Sequence, residues 1–176
     1  MNSLLLKNVR AVDTGLDRQC DILISDGIIK DIGDNLSANG CEVIDFSGLT
    51  AMPALFDMHV HFRDPGLTYK EDILTGAAAA LAGGFSGVAC MPNTKPTADS
   101  PETISYIINK AANTGVKVYP VGCITVGLKG EELCDYEALK AAGAIAVSDD
   151  GRPVENPGML KHGMMSAMEA GLPVIS

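Results

Sequence analysis

The stretch Leu55–Gly66, LFDMHVHFRDPG, decides how the rest of the chain is read. It holds two of the chain's three histidines, one residue apart. It begins as an apolar, strand-like run and ends in Asp-Pro-Gly, a turn signal. Side chains alternate between the two faces of a strand, so Asp57, His59, His61 and Arg63 share one face, with Arg63 at or past the strand end. Met58, Val60 and Phe62 then point the other way, toward covering helices. Two imidazoles on one side of one strand can hold a single metal ion, and imidazole nitrogen suits zinc. Asp57 is placed to fix an imidazole's tautomer through a hydrogen bond, as carboxylates behind metal-bound histidines do.

The surrounding sequence gives this stretch its fold. Downstream, strand-like and helix-like segments alternate. TYKEDILTGAAAALAGG is helical, with Thr68 and Glu71 spaced as a capping box and Gly83-Gly84 as a stop. FSGVACMPN is a strand, and SPETISYIINKAANTG is a helix with Ser100 as N-cap and Pro101 in its first turn. VKVYPVGCITV, DYEALKAAG, AIAVSDD and NPGMLKHGMMSAMEAG continue as strand, helix, strand and helix, and LPVIS opens another strand. Such repetition implies right-handed βαβ units and a parallel sheet. The strands are almost continuously apolar, as strands buried on both faces should be. An open sheet that binds nucleotides would carry a Gly-rich loop after its first strand, and HFRDPGLTYKE is not one. The strands end instead in polar groups: His-Phe-Arg, Pro-Asn-Thr and Ser-Asp-Asp. Polar side chains gathered at the carboxyl ends of parallel strands are how a (β/α)8 barrel builds a site. Residues 1–52 read differently, as short β-branched strands with a hairpin turn at Asp26-Gly27. The expected fold is therefore α/β: a small β-rich module over residues 1–52, then the N-terminal part of a (β/α)8 TIM-type barrel over residues 53–176.

Composition excludes several functional classes. The 176 residues carry a net charge of −9, and such a surface repels nucleic-acid phosphates and anionic lipid. No apolar run is long enough to span a bilayer, and MNSLLLKNVRAVD lacks the layout of a signal peptide. The five cysteines, Cys20, Cys41, Cys90, Cys123 and Cys134, are odd in number and form no C-x-x-C pair. They read as free thiols in a reducing cytoplasm.

Taken together, FDMHVHFRDPG, MPNTKP and AVSDDG resemble, in order and spacing, the dihydroorotases of the amidohydrolase superfamily. The H-x-H-x-R, M-P-N-T and S-D-D-G elements point to the type I enzymes, which carry an N-terminal β module, and the likeness runs from about Leu4 to Ser176. The resemblance implies zinc, one or two ions in each complete site. It implies that His59 and His61 are metal ligands on the first barrel strand, and that Asp150 is an acidic ligand after the fourth. Arg63 and Asn93 take the roles of substrate-binding residues, Arg63 gripping a carboxylate, for which its planar fork is suited. Many relatives bridge two metals with a carboxylated lysine, but AGAIAVSDDGRPV offers only Asp149 and Asp150. Strand alternation alone does not choose between these two; the resemblance selects Asp150. The chain also has Ala54 where the family usually has glycine, which is acceptable if the backbone there does not need positive φ.

The implied reaction is zinc-dependent, reversible hydrolysis of the cyclic amide of dihydroorotate to N-carbamoyl-L-aspartate, in pyrimidine synthesis. No proton-transferring catalytic residue is expected in this chain, because the family's aspartate for that task would lie beyond Ser176. The chain therefore reads as the N-terminal portion of a longer enzyme, strands one to five of the barrel, inactive alone. Implied partners are the small-molecule substrate, a second copy of the chain, or aspartate carbamoyltransferase, with no nucleic acid and no membrane. A sister cyclic-amide hydrolase acting on hydantoins, dihydropyrimidines or allantoin is the alternative. It is disfavoured because a neutral ring gives Arg63 nothing to bind. A non-catalytic scaffold is the other alternative. His162 is expected on the outside of its helix, away from any metal. Met159, Met164, Met165 and Met168 are expected to pack that helix onto the barrel.

Overall fold

A computed structural model describes residues 3–37 and 39–175. The chain divides into two compact units, Met1–Pro53 and Ala54–Ser176.

The first unit is one mixed sheet. β1 (Ser3–Asp13), β2 (Leu16–Ser25) and β3 (Ile28–Gly33) form an antiparallel meander. β4 (Glu42–Asp45) and β5 (Thr50–Ala51) both run parallel to β1. The β2–β3 hairpin turns at Asp26 (φ 51°) and Gly27 (φ 75°), the two successive positive φ values that a two-residue hairpin loop needs for its twist. Val9, Ala11, Cys20 and Ile22 are buried together on one face. Asp21 is buried too, and it accepts from Lys7 Nζ (2.5 Å), Asn8 N (3.1 Å) and Leu36 N (3.0 Å).

The second unit has four parallel strands, β6 (Leu55–Val60), β7 (Phe85–Cys90), β8 (Lys117–Gly122) and β9 (Ala146–Val147). They are joined through α1 (Ile73–Ala82), α2 (Pro101–Ala111) and α3 (Tyr136–Ala142), and α4 (Pro157–Ala170) follows β9. Val174 then forms a parallel bridge with Val147, starting the next step of the series. The spatial order β6-β7-β8-β9 equals the sequence order. A doubly wound sheet reverses direction at a switch point and a barrel does not, so this is a partly formed, half-barrel parallel sheet. Its inner strands β7, β8 and β9 are buried on both sides, whereas the edge strand β6 is largely exposed. Val88, Cys90, Val118 and Val147 face the helices with Ile73, Ile104, Ile107 and Leu139. Ala89, Met91, Val121 and Ala146 form a separate cluster on the opposite, inner face. Burial pushes the Cys90 thiol up to about 11 and the Cys134 thiol up to about 12, so neither is a ready nucleophile.

Three local expectations are corrected. α1 begins later than the Thr68/Glu71 pairing implies: its N-cap is Asp72, whose carboxylate accepts from Leu74 N (2.8 Å) and Thr75 N (3.0 Å). One aspartate satisfying two orphan amides displaces the box, and Glu71 bonds the Thr75 hydroxyl instead. On α4 it is the small Gly163 and Ala167 that are buried, whereas Met164, Met165 and Met168 are about half exposed or more, so of the four methionines only Met159 packs on the core. Met58 is 72% exposed rather than covered by helices. His162 is exposed on α4, on the outside as expected. Ala54 has no positive φ, so its Cβ costs nothing there.

Candidate metal centre

β6 brings the two histidines to the carboxyl end of the sheet, and it does so through a bulge. Asp57 pairs with Val88 and Val60 with Cys90, so three steps along β6 span two along β7. Val88 and Cys90 face the helices, and Asp57 and Val60 stand level with them. Simple alternation from Asp57 to His59 is thereby broken. Asp57 does not reach an imidazole; its carboxylate accepts from the His59 backbone N–H at 3.0 Å and so shapes the bulge. Past the bulge, Phe62 is buried and seated on α1 at Gly76, where an added Cβ would lie 2.4 Å from the ring. With Phe62 and Val60 packed on the helix side, His59 and His61 are left on the other.

β9 supplies the carboxylate. Asp149 and Asp150 follow it in adjacent positions with different environments. Asp149 is buried and accepts from Ile124 N (2.8 Å), Thr125 N (3.1 Å) and the Thr125 hydroxyl. Asp150 faces the imidazoles: Oδ1 lies 3.3 Å from His59 Nε2 and Oδ2 lies 3.5 Å from His61 Nε2. The ligand atoms of His59, His61 and Asp150 all lie within 4.8 Å of one another.

This donor set fits zinc. Two ligand atoms each ~2.1 Å from a tetrahedral ion stand ~3.4 Å apart, and both histidine–aspartate separations are close to that value. Two neutral nitrogens and one carboxylate oxygen make a three-ligand set that leaves a fourth position for water or substrate, the pattern of catalytic zinc sites. His59, with Asp149, Asp150, Gly151, Pro153, Val154 and Leu160, also lines a cavity of about 190 Å³.

The loop after β7 completes the cluster. Asn93 Oδ1 lies 3.0 Å from His61 Nδ1 and accepts from Arg63 Nη1 at 3.2 Å. Its Nδ2 donates to Asp150 Oδ2 at 2.8 Å. His61, Arg63, Asn93 and Asp150 thus meet in one hydrogen-bonded group, with His59 beside Asp150, and Asp57 stands apart from it. Arg63 has φ 58°, in the left-handed region where non-glycine residues are strained, and the residue after it, Asp64, is firmly anchored. Asp64 is fully buried and pairs with Lys110 Nζ (2.6 Å), the Tyr106 hydroxyl (3.0 Å) and Ile73 N (3.3 Å). The Asp64 carboxylate, then the Tyr106 hydroxyl, push the Lys110 ammonium up to about 12. Sequence reading passed over Asp64, since its partners lie 42 and 46 positions away, on α2. Gly66 closes the same loop onto the next: a Cβ there would stand 1.8 Å from the Lys95 carbonyl oxygen.

A sequential parallel βα sheet with an H-x-H pair on its first strand and an acidic ligand after its fourth defines a barrel protein with a metal centre at the strand carboxyl ends. The chain belongs to the Dihydro-orotase-like family, whose profile matches residues 48–174. Among its relatives, a dihydroorotase of Citrifermentans bemidjiense is 52% identical over 99% of this chain and 42% of its own length. One of Ruminiclostridium cellulolyticum is 51% identical over 98% and 41%. Among solved structures, an L-hydantoinase (dihydropyrimidinase) from Arthrobacter aurescens superposes with a TM-score of 0.79 at 22% identity, over 99% of this chain and 40% of that one, a likeness of fold. The chain spans about 42% of the length of the first of these relatives. Among the described residues no helix is long and apolar enough to cross a membrane.

Proposed function

We propose that this chain contributes the metal-binding half of a dihydroorotase active site, with residues 53–176 forming the first half of the barrel. The observation that carries the reading is Arg63 joined, through one amide, to a His59/His61/Asp150 cluster. A cyclic amide bearing a carboxylate needs both a cation for its carbonyl and a fixed guanidinium for its carboxylate. His59, His61 and Asp150 hold the metal. Zinc, when bound, supplies Lewis acidity and brings the pKa of water toward ~7. Arg63 orients the ring by gripping the substrate carboxylate, with Asn93 beside it as a second contact. The product is N-carbamoyl-L-aspartate, and the reaction runs in either direction.

Transfer of the leaving-group proton is assigned to an aspartate outside these 176 residues, so the chain alone is expected to be inactive. A cytoplasmic setting agrees with five free cysteines. An assembly with further copies, or with aspartate carbamoyltransferase, belongs to the same proposal.

The test is a chimera in which residues 1–176 replace the matching N-terminal 42% of the Citrifermentans bemidjiense dihydroorotase. It should bind zinc and turn over dihydroorotate, but not an uncharged hydantoin. Arg63→Ala in it should lower kcat/KM by about 2–5 kcal/mol of transition-state stabilisation while zinc content stays normal. A chimera that prefers the hydantoin, or that is indifferent to Arg63→Ala, would overturn the assignment.

A further inference from the structure

The Asn93 side chain has its orientation set twice over by its neighbours. Arg63 can only donate, so the amide atom 3.2 Å from its Nη1 is the oxygen. Asp150 as a carboxylate can only accept, so the atom 2.8 Å from its Oδ2 is the NH2 group. The two constraints agree. The oxygen so fixed also lies 3.0 Å from His61 Nδ1. Two acceptors cannot bond each other, so Nδ1 must carry a proton. In the neutral ring Nε2 is then bare, and it is Nε2 that points at Asp150 Oδ2 across 3.5 Å. Two lone pairs facing each other at that range repel, and a cation between them turns repulsion into attraction. An unrestrained histidine side chain favours the opposite tautomer, so something must hold this one.

We propose that Asn93 is the positioning residue of the centre: it locks His61 in the Nδ1–H tautomer and aims Asp150, preparing the ligand set before a cation arrives. This goes beyond substrate contact and rests on the metal-site reading above, not on the identity of the substrate. The side chain given this task on sequence grounds, Asp57, bonds a backbone amide instead. Metal-bound histidines gain orientation and basicity from such a partner, and its loss typically weakens metal binding roughly 10–100-fold.

The experiment is long-range 1H–15N NMR of the histidine rings in the metal-free chain at about pH 8.5, well above the ordinary histidine range. His61 should be the Nδ1–H tautomer. In Asn93→Ala it should revert toward Nε2–H, while His162 on the outside of α4 does not change. Asn93→Asp keeps an oxygen for Nδ1–H but loses the donor to Asp150, so it should retain the wild-type tautomer while Asp150 is no longer aimed. Zinc titrated into Asn93→Ala should bind roughly 10–100-fold more weakly. An Nε2–H tautomer in the unsubstituted chain overturns the proposal without any variant. So does an Asn93→Ala chain with unchanged tautomer and zinc affinity. Should Asn93→Ala fail to fold, the wild-type spectrum and Asn93→Asp still decide. A correct tautomer in a chain whose chimera ignores dihydroorotate would keep this inference and sink the proposed substrate.

Discussion

Asp21 in the N-terminal sheet and Asp149 in the barrel unit are both buried carboxylates, 4% and 5% exposed, each satisfied by three donors. They differ in what their neighbours do. Asp21 is paired to Lys7 and pins the backbone at Asn8 and Leu36, and the residues beside it, Cys20 and Ile22, are core. Asp149 pins the end of β8 to the end of β9, and the next residue is Asp150, a candidate ligand. Asp64 repeats the pattern: fully buried, paired to Lys110, and directly after Arg63. In one unit a buried charge completes a fold. In the other, each buried charge stands one residue from a side chain that must be aimed, so the cost of burying it is met where precision is needed.

The largest effects should come from the exposed member of each pair. His59→Ala, His61→Ala and Asp150→Ala should each abolish stoichiometric zinc binding. Structural zinc is held by about 10–16 kcal/mol over four ligands, so one ligand is worth roughly 2.5–4 kcal/mol. None should lower the melting temperature much, since all three side chains are partly exposed. Elemental analysis and thermal melts of the variants check this. Asp149→Ala should show the inverse. It orphans the buried amides of Ile124 and Thr125, at about 1–3 kcal/mol for each group left unsatisfied. The melting temperature should fall by about 4–24 °C, given 2–4 °C per kcal/mol in a chain of this size, with zinc stoichiometry kept in the cold. If Asp149→Ala strips the metal and Asp150→Ala does not, the two roles are reversed.

How much of this was legible beforehand follows from the range of each interaction. The order of strands and helices was legible because apolar runs and turn residues are local signals. Ser100 capping α2 ahead of Pro101 was read correctly for that reason. His59 and His61 were legible as a pair because they stand two apart on one strand. The place of Asp57 was not, because a bulge between Asp57 and Val60 shifts the face and leaves no mark that alternation can see. Asp149 and Asp150 are the same residue type in the same loop, and only their partners at Ile124, Thr125 and the imidazoles tell them apart. Asp64 and the crossing of Asn93 between three side chains depend on contacts 30 to 57 residues away, which no local pattern encodes. The exposed methionines of α4 broke the reading of apolar residues as core: the buried face is made by Gly163 and Ala167, with Gly163 against Ile124, Leu133 and Tyr136.

A smaller effect is expected from the second pair. Asp64→Ala should cost about 2 kcal/mol, less than a fully buried ion pair because Lys110 keeps 30% of its side chain in water. The loss should be local. Hydrogen exchange should quicken across residues 61–73, where Asp64 ties the loop to α2 and to Ile73 N, and stay unchanged in β1 and β2. Zinc binding should survive, since none of the three candidate ligands touches Asp64. Quickened exchange throughout the chain would mean that Asp64 supports the whole unit rather than the loop that carries Arg63.

The smallest expected effect is the pH response of Asp21, and it tests the other half of the comparison. The Lys7 ammonium, followed by the Asn8 and Leu36 amides, holds the Asp21 carboxyl below the usual carboxylate range against the opposing effect of burial. A carboxyl lowered in the folded state binds its proton more readily when unfolded. Its stabilising contribution is therefore complete above the unfolded value of about 4 and drains away as pH falls through the folded value. Between pH 7 and about pH 3 the N-terminal sheet should lose stability by an amount that Asp21→Asn does not lose, because the amide has no proton to take up. Across this range the melting temperature of the parent chain should fall further than that of Asp21→Asn. Circular dichroism melts of both chains across that range measure it. Arg10 and Asp17 form a second ion pair on the same sheet, but it is more than half exposed, so it should add little to the response. An Asp21→Asn chain with the same acid sensitivity as the parent would mean that Asp21 is fixed by packing rather than by Lys7. The N-terminal sheet would then owe no stability to its buried charge.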